Sequence, residues 1–313
     1  MTRRTAGYFL LCAFLLLTAC GTLPDAQPFQ DATRSLSSAV KASGQAFDDS
    51  LDEATANSPA NATQYGQLKK TFDQAWAARI AAAEGAVDYS NAVAELVSAA
   101  RTSEDSVSKL SDALQGLATA SSIPLAQVTA STGTDIARFL VAQIAVVRTS
   151  QKLDDAMTAA QPAVDRIAAR INQDLNDQLI PSMTDVYKNN VGAIKRKYTA
   201  DDNFAQSFSF RRDDMRKKVL NKEADASRLV DLDRVQDTVN TSLKARDKEL
   251  DQLSTAYATR LRLLRLLASA TTVWADSHRE LARAIQDKRK VDVSRLQEAI
   301  MTVRAITQKL EAL

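Results

Sequence analysis

Cysteine is almost missing from this sequence. The chain has 313 residues, and its two cysteines, Cys12 and Cys20, both lie within the first twenty. Everything after Cys20 therefore has no thiol, which excludes a disulfide framework and cysteine-ligated metal sites from that part of the chain.

Glycine, proline and aromatic residues are scarce, and no sign of charge is in excess. The sequence contains 8 glycines and 6 prolines, 5% of its residues are aromatic, and its formal net charge is +2. Alanine, leucine and charged residues dominate instead, which favours helices throughout over a sheet protein. A near-neutral chain has none of the basic excess that nucleic-acid binding needs, so no nucleic-acid partner is predicted.

What the sequence does have is a long apolar stripe. From Leu229 to Ile285, apolar residues recur at alternating steps of three and four, and neither proline nor glycine interrupts them. This period predicts one helix of about 85 Å with a single face turned to partner helices. The rest of the chain must cover that face.

Four more helices are predicted from the same spacing and from the turn residues between the stripes. They span residues 29–56, 62–120 and 134–198, followed after the long helix by a short one from about residue 293. Breaks or kinks are expected just before Pro162 and Pro181, because proline removes a helical hydrogen bond. The predicted fold is all-α: an elongated antiparallel bundle with three long helices and two shorter flanking helices, forming a single domain over residues 29–313. We expect the first helix to cover one end of the long helices and the last helix to cover the other.

The N-terminus has the features of an export signal. Arg3 and Arg4 precede a short apolar segment, which ends in Leu17-Thr18-Ala19-Cys20, and a segment of this length is typical of a signal peptide. The last four residues resemble the lipobox of bacterial lipoproteins. That resemblance implies a signal peptide over residues 1–19 and a lipid-anchored tether over residues 20–28, with Cys20 acylated (palmitate) as the mature N-terminus. It also implies an envelope location, and Gly21 in place of aspartate favours the outer membrane, facing the periplasm. A plain signal peptide with an incidental cysteine is the alternative.

One basic and aromatic cluster falls where the third helix must reverse into the long one. We predict a turn at this place that binds a membrane or a protein partner, or else a solubilising turn whose phenylalanines close the end of the core. Its members are Lys195, Arg196, Lys197, Phe204, Phe208, Phe210, Arg211, Arg212, Arg216, Lys217 and Lys218.

No residue pattern typical of an enzyme is present. The single histidine, His278, lies on the long stripe without the partners of a metal site, and it is interpreted as a seam residue that is half-exposed or satisfied by its neighbours. No glycine-rich phosphate loop and no nucleophile elbow occurs. We therefore predict neither catalysis, nor a metal, nor a cofactor.

The function predicted first is structural. A lipid-anchored periplasmic scaffold or adaptor uses its helical surfaces to bind another envelope protein or itself. In outline, the long kinked helices and the basic turn also resemble BAR-type membrane-shaping domains. That resemblance implies membrane binding and bending, so a membrane-remodelling or pore-forming helical protein is the alternative. A pore would need an apolar segment that leaves the bundle, and residues 139–147 are the best candidate, although they are too few to span a membrane as a helix.

Overall fold

The structure is a computed structural model that describes residues 24–98, 104–121, 153–287, 289–292 and 294–311. Within these residues every extended regular element is helical, and no strand is found. The predicted all-α class is therefore confirmed. The helices are α1 (Gln27–Asn57), α2 (Ala62–Ser98), α3 (Glu104–Ser121), α4 (Leu153–Asp174), α5 (Ile180–Lys197), α6 (Thr199–Leu220), α7 (Ser227–Asp287) and α8 (Ser294–Glu311).

The first helix and the long helix lie close to where the sequence predicts them. α1 begins at Gln27, so the last two residues of the expected tether are helical, and it ends just before the short 3₁₀ turn Pro59–Asn61. Pro28 suits the start of a helix, because the N–H that proline lacks has no helical partner there. α7 contains 61 residues and is unbroken, so it extends for about 90 Å.

The core lies among α1, α2, α3, α7 and the consecutive helices α4 and α5. Trp76 of α2 donates its indole N–H to the carbonyl of Val40 in α1 at 3.0 Å, and Trp274 of α7 donates to the hydroxyl of Thr33 at 3.0 Å. Both tryptophans thus contribute large apolar surfaces while their polar N–H groups stay bonded, as buried indoles require. Fully buried large side chains extend this core along the bundle: Phe47, Leu51, Tyr89, Leu110, Leu114, Leu117, Leu153, Met157, Leu175 and Met183.

The single helix predicted over residues 62–120 is wrong. α2 ends at Ser98, α3 begins at Glu104, and the two pack against each other in opposite directions. Gly85 lies so close to Leu117 that a Cβ on the glycine would be 3.0 Å from the Leu117 Cα, and Lys109 contacts Glu95 at 3.2 Å. Two successive helices with the same apolar period mimic one long helix in sequence, because no proline or glycine marks the reversal between them.

The third predicted helix is described from Leu153 onward, and residues 134–152 lie outside the described residues. α4 continues through Pro162, so no break is found there. A π-helical segment, Leu175–Leu179, joins α4 to α5 immediately before Pro181. The interruption expected at this proline is thus present, because Pro181 has no N–H for the carbonyl four residues earlier and the helix widens by one residue.

The expectation that the first and last helices cover opposite ends is also wrong. α8 packs against both α1 and α7. Arg304 of α8 donates to the hydroxyl of Ser35 in α1 at 2.8 Å, and Val303 is buried at 3% exposure. The two helices are neighbours because each has an apolar stripe that the other covers, which sequence periodicity alone cannot pair.

Candidate functional site

α6 and the first part of α7, residues 227–248, form an antiparallel pair of helices that we call the arm; the rest of α7 and the other helices form the body. α6 packs mainly against α7. None of its 22 residues is buried, and within residues 227–248 only Val239 is buried. A pair of helices about 33 Å long with almost no buried side chain contrasts with the close-packed body.

The base of the arm joins α5 at Tyr198, which separates the two helices. Its phenol donates to Glu249 at 2.7 Å, and Lys197 donates to the same carboxylate at 2.8 Å. These hydrogen bonds hold the pKa of Glu249 below its usual range. Further along, Arg246 pairs with Asp202, and Ser242 donates to Asp201 at 2.5 Å.

The tip of the arm is the reversal over residues 221–226. Lys222 has a positive φ of 58°, and the N–H of Glu223 reaches back to the carbonyl of Lys218 at 2.8 Å. These are the features of a Schellman helix end, in which the residue after the helix adopts the left-handed conformation. Asp225 then accepts the N–H of Ser227 at 2.8 Å and starts α7, which lowers the pKa of the Asp225 carboxyl.

The predicted basic and aromatic turn is corrected by this geometry. Lys195, Arg196 and Lys197 lie on the last turn of α5, and the other members lie on α6. The chain reverses after α6, because the aspartates and asparagine over residues 201–203, which interrupt the apolar period, start a helix instead of a turn. About 21 Å of helix separates Lys197 from Arg211, so the structure does not bring the two basic runs together.

Within α6, the predicted phenylalanines have two different environments. Phe204 and Phe208 are half-buried with ring centroids 6.2 Å apart, and the guanidinium of Arg211 lies over the Phe204 ring at 5.1 Å. Phe210 is 77% exposed. Sequence reasoning missed three more exposed apolar residues on the arm, Leu220, Val230 and Val235. The sequence did contain a signal for them, because large apolar residues that lie off the apolar stripe of a polar helix have no core to enter.

Two of the predicted basic residues of α6 form ion pairs with aspartates of the arm. Arg212 donates to Asp233 at 2.9 Å across the arm, and Lys218 pairs with Asp214 along its own helix at 2.8 Å. All four side chains are about half exposed, so each pair stabilises the arm by less than about 1 kcal/mol.

His278 is fully buried and hydrogen-bonded on both sides. Its Nε2 is 2.6 Å from the Tyr89 hydroxyl, and its Nδ1 is 2.7 Å from Oε1 of Gln161. The Gln161 amide donates to the Ala275 carbonyl, so its oxygen accepts from His278 Nδ1–H, and Nε2 accepts from the tyrosine. Burial lowers the pKa of His278 from 6.5 to about 3. The satisfied seam histidine is thus found, whereas a half-exposed one is not.

A small cavity lies in the body where α2 passes the π segment. It has a volume of about 120 Å³ and aromatic walls that include Phe47, Phe72 and Trp76. Its floor contains a buried ion pair, in which Arg79 donates to Asp174 at 2.7 Å. Arg170 also contacts the Asp174 carboxylate at 3.1 Å, so the charge of Asp174 is neutralised by residues of the bundle itself.

Neither a metal centre nor a membrane span emerges from the part of the chain that the structure describes. In these ranges no three histidine, cysteine, aspartate or glutamate side chains come close enough to hold a metal ion. Likewise, none of the helices described is both long and apolar enough to cross a membrane. Cys20 and the candidate pore segment, residues 139–147, lie outside the described residues.

Comparisons with known proteins add no relative. No family model matches the chain, and no curated protein or solved structure shows significant similarity to it.

Proposed function

We propose that this protein is a lipid-anchored scaffold or adaptor of the bacterial envelope, and that the arm is its docking element. The observation that carries the proposal is the contrast in burial between arm and body. The body buries most of its large apolar side chains and exposes Leu68 and Met301, while the much smaller arm exposes Phe210, Leu220, Val230 and Val235. Apolar side chains on an otherwise polar projection are typical of a protein-binding surface.

Anchoring is the second part of the proposal. The lipobox resemblance at residues 17–20 supports acylation of Cys20 and attachment to the outer membrane, facing the periplasm. Several acyl chains on one cysteine hold a protein firmly, because each buried CH₂ contributes about 0.8 kcal/mol. Growth with a labelled palmitate analogue tests this step: the parent chain becomes labelled and Cys20→Ser does not. A Cys20→Ser chain that still carries label refutes the anchor.

Photo-cross-linking in intact cells tests the docking element. A photoreactive amino acid at Val235 samples the arm, and one at Arg262 is the matched control, since both residues are exposed on α7. We expect a protein adduct from position 235 and none from position 262. Equal labelling at the two positions, or no adduct at 235, contradicts the arm as the docking element.

A membrane-binding function of the BAR type is the alternative, and the exposed Phe210 beside Arg211 and Arg212 supports it. Anionic vesicles distinguish it from docking. If the arm binds lipid, Phe210→Ser with Arg211→Glu weakens co-sedimentation of the Cys20→Ser chain with these vesicles. The docking proposal expects no arm-dependent co-sedimentation.

A further inference from the structure

The arm leaves its apolar seam open along its length. Phe204, Phe208 and Met215 of α6 and Leu232 and Leu243 of α7 are all half-buried. In a bundle of four helices such residues are covered from both sides, whereas in a pair they are covered from one side only. One side of the arm's apolar seam is therefore left uncovered.

Charge along the arm falls into two blocks, one near the tip and one near the base, and within each block α6 and α7 carry opposite net charge. Near the tip α6 is mainly basic, through Arg211, Arg212, Arg216, Lys217 and Lys218, with only Asp213 and Asp214 between them. The facing part of α7, residues 227–237, carries a small acidic excess, with Asp231, Asp233 and Asp237 against Arg228 and Arg234. Near the base the signs reverse: α6 has Asp201 and Asp202, while α7 has Lys244, Arg246 and Lys248 around Asp247.

This pattern makes the arm complementary to a copy of itself. A two-fold axis along the arm places α6 of one chain beside α7 of the other, and both arms then point the same way. The new neighbours repeat the antiparallel pairing already present within each arm, where Arg212 meets Asp233 near the tip and Asp202 meets Arg246 near the base. An isologous interface of this kind needs only one surface that fits itself.

The available area is sufficient for a specific interface. A pair of helices about 33 Å long and 20 Å wide presents a face of about 660 Å², so two faces bury about 1,300 Å². This lies within the range of stable protein interfaces, about 1,200–2,000 Å². The half-buried apolar residues of the seam in each chain would provide apolar contacts across this face, which a purely polar surface contact lacks.

We propose that the arm of a second copy of this chain covers the open seam, so that two chains meet in a four-helix bundle. The inference rests on the arm being the docking element of the proposed function, and it names the partner. An anionic membrane suits the arm less well, because aspartates of α7 lie beside the basic residues of α6 and nearly cancel their charge.

Two charge-reversed variants of the full exported chain with Cys20→Ser test this pairing. The first reverses α6 with Arg212→Glu and Arg216→Glu, and the second reverses α7 with Asp231→Lys and Asp233→Lys, which lie at the same level of the arm. Each alone places like charges between α6 of one chain and α7 of the other. Mixed one to one, they place opposite charges at both contacts. We expect the parent to sediment as a dimer, each variant alone to dimerise at least tenfold more weakly, and the mixture to recover dimers.

The control carries Arg262→Glu and Arg265→Glu, which reverse exposed charges of α7 within the body and leave the dimer unchanged. Circular dichroism confirms that each variant keeps its helices. If a double variant loses helicity, the single changes Arg216→Glu and Asp231→Lys replace it in the same mixing experiment. A monomeric parent, or a mixture no more dimeric than its components, overturns the proposal.

The cross-link from position 235 separates this inference from the proposed function. An adduct that contains two copies of this chain, mixed from isotopically heavy and light cells, supports both. An adduct with a different protein overturns self-pairing and leaves the docking function standing. Failure to form any protein adduct overturns both, as does a parent that binds anionic vesicles through the arm and remains a monomer.

Discussion

At the scale of single residues, the polar side chains on the long stripe are held by partners from other helices. Arg260 is 7% exposed, and both terminal nitrogens of its guanidinium donate hydrogen bonds to Glu53 of α1, at 2.9 and 2.7 Å. It also donates to the hydroxyl of Ser50 at 3.1 Å. Such buried ion pairs and hydrogen bonds fix which helices lie side by side, since a charge left without its partner is costly to bury.

Protonation of His278 makes the fold sensitive to acid. Its pKa is about 6.5 when unfolded and about 3 in the bundle, so between these values the unfolded chain binds the extra proton. Its contribution to stability is complete above pH 6.5 and falls as the pH drops, by at most about 1.4 kcal/mol per pH unit.

His278→Gln removes this titration. As the pH falls from 6.5 to 4, we expect the unfolding free energy of the parent to fall relative to that of His278→Gln. Chemical denaturation at several pH values measures it. A difference that stays constant across this range contradicts the neutral, buried histidine.

Asp48 has the opposite effect on stability. Burial and the neighbouring Asp73 raise the pKa of its carboxyl from 3.8 to about 6, and its Oδ1 has no hydrogen-bond partner. The folded state holds the proton more tightly, so this contribution is complete below pH 3.8 and is lost as the pH rises through 6. At pH 7.5 the ionised carboxylate therefore opposes folding.

Asp48→Asn removes that charge. We expect a gain of about 1 kcal/mol in unfolding free energy at pH 7.5, reduced by solvent screening of a partly exposed group, and almost no gain at pH 4. Asp185→Asn, at a carboxylate that is 73% exposed, is the control for charge alone. A gain equal at both pH values, or equal in the control, would refute the assignment.

The sequence indicates which residues face the core but not what they touch there. His278 was predicted to be either half-exposed or satisfied by its neighbours, and no partner was predicted for it or for Arg260. Both are buried, since Glu53 and Gln161 lie far away in sequence and only tertiary packing brings them close. The partner of a buried polar group depends on which helices are neighbours, and the apolar period of one helix does not indicate this.

At the scale of helices, α1 and α2 pack unusually closely at Gly44. A Cβ on this glycine would lie 2.3 Å from Cδ1 of Trp76, whose indole is bonded to the carbonyl of Val40. Gly66 is also helical, yet nothing lies within 4 Å of its Cβ position. Alanine substitutions at the two glycines therefore distinguish the effect of close packing from the effect of helix propensity.

Gly44→Ala is expected to lower the unfolding free energy by about 2 kcal/mol or more, because the tryptophan must move and lose its hydrogen bond. Gly66→Ala is expected to raise it by about 0.5–1 kcal/mol, since alanine is the better helix former. Thermal or denaturant unfolding of both variants measures these changes. Stabilisation by Gly44→Ala would contradict the close contact.

Helix prediction succeeded where proline or a change of period marks an end, and failed where nothing does. Asn57-Ser58-Pro59 ends α1, and the uninterrupted stripe forms α7. The reversal between α2 and α3 has no such mark. The predicted reversal at residues 199–222 instead proved to be helix α6, because its charged residues pair along and across the arm more favourably than they would in a loop.

At the scale of the whole molecule, the long helix has two roles. Its C-terminal part lies in the body, where Trp274, His278 and Leu281 are buried. Its N-terminal part belongs to the arm, where Val239 is the only buried residue in 227–248. The same apolar period runs through both parts, so the sequence could not reveal that the N-terminal part would be left with a single partner helix.

Serine substitutions at exposed arm residues test the central claim most directly, that the arm's apolar surface serves binding and not folding. The variant carries Phe210→Ser, Leu220→Ser and Val230→Ser, with the photoreactive amino acid at Val235. We predict an unfolding free energy within about 0.5 kcal/mol of the parent, together with at least a tenfold loss of the cross-linked product. An unchanged yield of adduct, or a fall in stability large enough to unfold the body, would contradict the account.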